Sequence, residues 1–229
     1  MPIPAELRAR LQHEYAAIEP LRAPWRRALR VLPLAAVTVA AAPVAFDVRA
    51  DASQLGWTLG WGASLLQVAI GFAIIAASLR ESVPGRGWSR VAIALWLTLP
   101  VALVALVTLA SWDSSRILLQ RGWWVVAGVC FAGSAASALP VVALASVLTA
   151  RAYPTRPAIA GAMLGAGAGL MADAGWRMFC HFTEPSHVLS AHLGGVIAST
   201  AIGVLLSIRL AADITSETLA PQTSTPPPR

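Results

Sequence analysis

Residues 122–149 read GWWVVAGVCFAGSAASALPVVALASVLT, a run without one charged side chain. A helix rises 1.5 Å per residue, so about 20 such residues cross the hydrocarbon of a bilayer. Lipid offers the backbone no hydrogen-bond partner, so a lone spanning segment has to be a helix. Reading outward from this run, five more apolar stretches lie at 29–47, 55–79, 91–112, 158–179 and 189–210. The pattern predicts an all-α polytopic membrane protein, a six-helix transmembrane bundle. The first stretch is the weakest, because Pro33 and Pro43 interrupt it. Neighbouring helices can absorb such breaks.

Composition agrees. The chain is 57% hydrophobic and 12% charged, whereas soluble domains carry about 25% charged residues. The first 25 residues lack a central apolar run, so the first span is expected to remain as an anchor. The net charge of +6 does not point to nucleic acid. Every basic residue is an arginine, and these flank the spans as topology signals do. Arg8, Arg10, Arg22, Arg26, Arg27 and Arg30 precede the first span, and Arg80, Arg86, Arg90, Arg151 and Arg156 occupy the second and fourth loops. Loops one, three and five and the neighbouring helix ends hold Arg49, Arg116, Arg121 and Arg177. This bias puts both termini in the cytoplasm of a bacterial inner membrane, with the odd-numbered loops in the periplasm. Three regions follow: a cytoplasmic amphipathic segment over 1–28, a transmembrane domain over 29–212, and a disordered cytoplasmic tail over 213–229.

Within the first region, residues 5–19 have helical periodicity, with Leu7, Leu11, Tyr15 and Ile18 on one face. Such a short amphipathic helix either lies on membrane lipid or offers its stripe to a cytosolic protein. In the fifth span, Gly161, Gly165 and Gly169 share a face, which favours close helix packing. Asp173 and Arg177 are four apart, the spacing of a local, partly hydrated ion pair.

The polar residues concentrate between the last two spans. Cys180, His181, His187 and His192, with Glu184, are ligand types for a transition metal such as zinc or copper. Their spacing matches no compact zinc motif, and polar loop filling is the alternative. Cys130 lies in the outer half of the fourth span, about 12 Å below Gly122. It shares a membrane half with Cys180, and a disulfide needs Cα atoms within about 7 Å. The difference in depth stands against that bond unless the helices tilt or shift. No phosphate loop, nucleophile elbow or carboxylate pair is present, so an enzyme is not expected. A metal-handling or small-solute transporter with an outer Cys/His site is the alternative function. The spans show no ladder of charged residues for ion transport.

Taken together, these residues resemble the NrsF family. The resemblance rests on Pro20 to Arg27 (PLRAPWRR), Trp124 followed by Cys130, Leu139-Pro140, Arg151, Pro154, Pro157, the glycine-rich span, Cys180, Glu184, His187 and His192. Where the family commonly has Cys-Pro, this chain has Cys180-His181, and His192 stands where an aromatic is frequent. The resemblance implies an anti-sigma factor, a six-span negative regulator of an extracytoplasmic-function sigma factor. The cytoplasmic part would hold the sigma factor at the membrane, through Leu7, Leu11, Tyr15 and Ile18. Cys130 and Cys180 would sense heavy-metal or oxidative stress from the periplasm.

Overall fold

The structure, a computed structural model, describes residues 4–6, 8, 9, 20–111 and 123–219. Six helices in it are long and apolar enough to cross a membrane. They are α1 (Pro24–Phe46), α2 (Ala52–Glu81), α3 (Arg90–Ser111), α4 (Trp123–Ala150), α5 (Pro157–Phe179) and α6 (Pro185–Ile214). No strand occurs among the described residues. The protein is therefore an all-α, multi-pass bundle. Leu7, Leu11, Tyr15 and Ile18 lie outside the described residues.

α1 starts at Pro24, five residues before the expected span, and runs through both of its prolines. Pro33 falls in the first turn after a 3₁₀ turn at Leu29–Val31, where its missing N–H costs little. Pro43 lies near the C-terminal end of the helix, and Asp47, at φ 66°, terminates it. α6 also starts early, at Pro185, and its helical structure continues to Leu219, past residue 213 where the tail was expected to begin. Residues 220–229 lie outside the described residues.

α5 is the core of the bundle. Of its most apolar window 83% is buried, against 22% for α1. It also has the lowest mean hydropathy of the six, 1.3. A helix surrounded by protein does not need large lipid-facing side chains. It needs small residues that let its neighbours approach, since close packing, rather than a hydrophobic difference, drives association in lipid. A Cβ at Gly161 would lie 2.5 Å from the Gly203 carbonyl oxygen of α6. One at Gly71 of α2 would lie 2.6 Å from the Gly167 oxygen of α5. The glycine face thus packs within one chain.

At one end of the bundle the helices are tied by buried charge. Arg27 donates hydrogen bonds to the carbonyl oxygens of Leu79 (3.3 Å) and Leu148. These lie in the last turns of α2 and α4, where the helix dipole is negative and carbonyls lack helical partners. Glu81 accepts the Trp88 N–H at 2.6 Å and pairs with Arg156 at 2.5 Å. That carboxylate joins the α2–α3 turn to the α4–α5 turn.

Candidate metal centre

At the other end of the bundle, four donor side chains converge. Cys130 comes from α4, Cys180 directly follows α5, and His187 and His192 stand on the first turns of α6. One ligand atom from each lies within 4.8 Å of the other three. All four side chains are buried, none more than 4% exposed. Segment 180–188, expected as a polar outer loop, therefore folds inward, with Thr183 and Val188 also buried. Arg49 holds it from outside. Its backbone N–H donates to the Met178 carbonyl at 2.9 Å, and its guanidinium donates to the His181 carbonyl at 3.2 Å. The guanidinium is itself fixed by Asp51 at 2.6 Å.

A local irregularity in α6 aligns the two histidines. Residues five apart on an α-helix point about 140° away from each other. Residues Val188–Leu193 form a π-turn, whose hydrogen bonds run from i to i+5. This brings the rings of His187 and His192 to 5.4 Å between centroids. Their facing atoms are set separately. His187 places Nε2 at 3.2 Å from the Cys180 sulfur, and its buried Nδ1 has no hydrogen-bond partner among the described residues. His192 directs Nδ1 to Asp173 Oδ1 at 2.7 Å, which leaves Nε2 for the cluster. Asp173 Oδ2 accepts a hydrogen bond from Gln67 Nε2 of α2 at 2.6 Å. A carboxylate holding the far nitrogen of a histidine is how metal-binding imidazoles are oriented.

Asp173 corrects the expected ion pair with Arg177. It is fully buried, not hydrated, and its two oxygens serve His192 and Gln67. The depth mismatch between the cysteines is also resolved, because the sulfurs lie 3.8 Å apart. That is far beyond a disulfide bond of about 2.05 Å. It matches the edge of a tetrahedron built on zinc–sulfur bonds of about 2.3 Å. Two thiolates, two neutral imidazoles and a divalent ion sum to zero charge, which suits a dry pocket. Its walls are Ala42, Ala127, Trp176 and Ala191, backed by Phe179 and Phe182. Trp176 is seated by a 3.0 Å hydrogen bond to Ser137 Oγ. The hydrogen bond with Cys130 lowers the Cys180 pKa well below the ordinary thiol value. Burial opposes this, and hydrogen bonds with His187 and His192 reinforce it.

The residues read from the sequence thus divide. Cys130, Cys180, His187 and His192 come together, whereas His181 and Glu184 stay outside the four-donor group. The His181 ring lies tilted against Phe182, 4.4 Å between centroids, and Glu184 sits at the N-cap of α6. Gln67 and Asp173 were missed as supports of the site. A lone carboxylate in a span of glycine and alanine, with a glutamine in another span, is the signal by which the sequence offered them.

A family model described as negative regulator of sigma F matches residues 11–212, which takes in all four donors and both supports. The chain belongs to the NrsF family. As an NrsF member it is a negative regulator of a sigma factor, with a sigma factor as the partner this implies, and its family is one of regulators rather than enzymes. No curated protein and no solved structure matches the chain.

Burial yields a direct expectation. Both thiols should resist a membrane-permeant maleimide in the folded protein and react fully after denaturation in SDS. Fast labelling of Cys180 before denaturation would contradict the enclosed cluster.

Proposed function

We propose that this protein is an anti-sigma factor of the bacterial inner membrane that holds an extracytoplasmic-function sigma factor in the cytoplasm. It releases that factor when the Cys130–Cys180–His187–His192 centre takes up a thiophilic metal ion or is oxidised in the periplasm. The observation that carries the reading is the convergence of four buried donors at the end of the bundle opposite the arginine-rich turns. Sequestration is assigned to segment 1–28, with Leu7, Leu11, Tyr15 and Ile18 as the gripping stripe. Signal reception is assigned to the domain over 29–212. The tail over 213–229 has no assigned role.

The proposed orientation follows the charge. α1 begins and α6 ends beside the turns that hold Arg80, Arg86, Arg90, Arg151 and Arg156, so both termini are cytoplasmic. A metal bound at the centre would supply bonds tying α4 to the start of α6. A ligand shifts a two-state bundle only if it prefers one arrangement, and such bonds give that preference. Disulfide formation would instead join α4 to the end of α5, with loss of two electrons and two protons from the thiols to a periplasmic oxidant.

Capture of the sigma factor by the detergent-solubilised full chain tests this. Cadmium should release the bound factor from the wild type but not from the Cys130→Ser/Cys180→Ser variant. Deletion of residues 1–19 should abolish capture with cadmium absent. Undiminished capture by the deletion would remove the stripe from the mechanism. Equal release from the doubly substituted protein would remove the cysteines.

A further inference from the structure

The inner end of the bundle carries a polar cavity far from the metal centre, lined in part by residues of segment 1–28. It has a volume of about 240 Å³, and its lining includes Arg22, Arg27, Arg30 and Arg151 beside Leu21 and Leu148. Among the described residues no carboxylate lines it. Arg27 forms a fixed floor, buried and held by the carbonyls of Leu79 and Leu148. Arg22, Arg30 and Arg151 are exposed around it. Among the described residues none of these three is paired with a carboxylate, since the ion pairs found there serve Arg49, Arg156 and His192. Four like charges around one cavity repel one another, and a bound anion relieves that repulsion. Guanidinium groups favour phosphate oxygens, which they grip with paired donors.

The position of the cavity selects the source of that phosphate. It opens at the foot of α1, whose Leu29, Leu32 and Val37 are exposed on the bundle surface. Trp25 is exposed at the same level, with the Arg26 guanidinium 5.1 Å from its ring centre. Tryptophan and arginine in this arrangement mark the headgroup layer. The cavity thus stands where a lipid-facing flank meets the aqueous edge, and Leu21 and Leu148 supply an apolar wall. A phospholipid offers both a phosphodiester for the arginines and acyl chains for α1. Free phosphate has no use for the apolar flank. We propose that this cavity is a binding site for the headgroup of an anionic phospholipid of the inner leaflet. The site is independent of the metal centre.

Native mass spectrometry of the detergent-purified full chain, titrated with phosphatidylglycerol or phosphatidylcholine, tests the proposal. Wild-type protein should retain phosphatidylglycerol preferentially. Each arginine removed as Arg22→Gln, Arg30→Gln or Arg151→Gln should weaken retention about five-fold, and the triple variant should lose the preference. All three side chains are exposed, and helicity by circular dichroism checks the fold. If the triple variant does not fold, the single variants decide. Equal retention of both lipids by the wild type would overturn the proposal. So would unchanged phosphatidylglycerol retention in the variants, and if sigma-factor capture fell at the same time the cavity would belong to the protein partner. Displacement of the lipid by millimolar inorganic phosphate would overturn the lipid assignment in favour of a free-phosphate site.

Discussion

Asp173→Ala should lower the stability of the bundle by about 3–5 kcal/mol, the usual cost of removing one partner from a buried charged pair. The carboxylate meets His192 at 2.7 Å and Gln67 at 2.6 Å, and all three side chains are buried. Alanine strands a buried imidazole and a buried amide without the oxygens they bonded to. The same change should weaken cadmium binding by about 10–100-fold, the range for loss of a group that orients a metal ligand. The two effects separate in Asp173→Asn. Asparagine keeps the shape and one acceptor, so it should recover most of the stability but only part of the affinity. Denaturation in SDS followed by circular dichroism reads the first quantity. Titration of thiolate–cadmium absorbance reads the second. If Asp173→Ala unfolds at the wild-type midpoint, the buried chain from α2 to α6 has no energetic role.

Gly165→Val should be the most damaging substitution on the glycine face. A Cβ there would collide with the Ser199 carbonyl oxygen and lie 2.7 Å from Thr200 Cα. Both are backbone atoms of α6, so no rotamer change relieves the clash. Overpacking usually costs about 1–3 kcal/mol and more where the wall cannot move, so at least about 3 kcal/mol is expected. Gly128→Ala on α4 is the contrast, because nothing lies within 4 Å of the added Cβ. Removing a mid-helix glycine there should stabilise by about 0.5–1 kcal/mol. The same SDS midpoints measure both variants. Equal responses at the two positions would mean that α5 and α6 do not approach as closely as described.

The contrast between these glycines separates what was readable from what was not. The spacing of Gly161, Gly165 and Gly169 showed that some helix comes close. It did not show that α5 lies at the centre. Mean hydropathy ranks α5 last and α3, at 2.4, first, because the scale measures comfort in lipid and α5 has little lipid to meet. The ligand types around Cys180 were readable as well. Their grouping was not, because periodicity assumes an unbroken α-helix, and the π-turn at Val188–Leu193 turns His192 toward His187. Glu184 and His181 were plausible by proximity in the chain, while Cys130 joins from 50 residues away.

The chain's own order of residues determined where its long helices run and that six of them are apolar enough to cross a membrane. Those properties come from segment-by-segment transfer of side chains between water and lipid, and each segment can be assessed alone. Only the folded bundle decided which carboxylate meets which imidazole, and which thiols face each other across α4 and α5. Such pairings depend on distances between helices that side-chain volumes set jointly, and no local stretch carries that information.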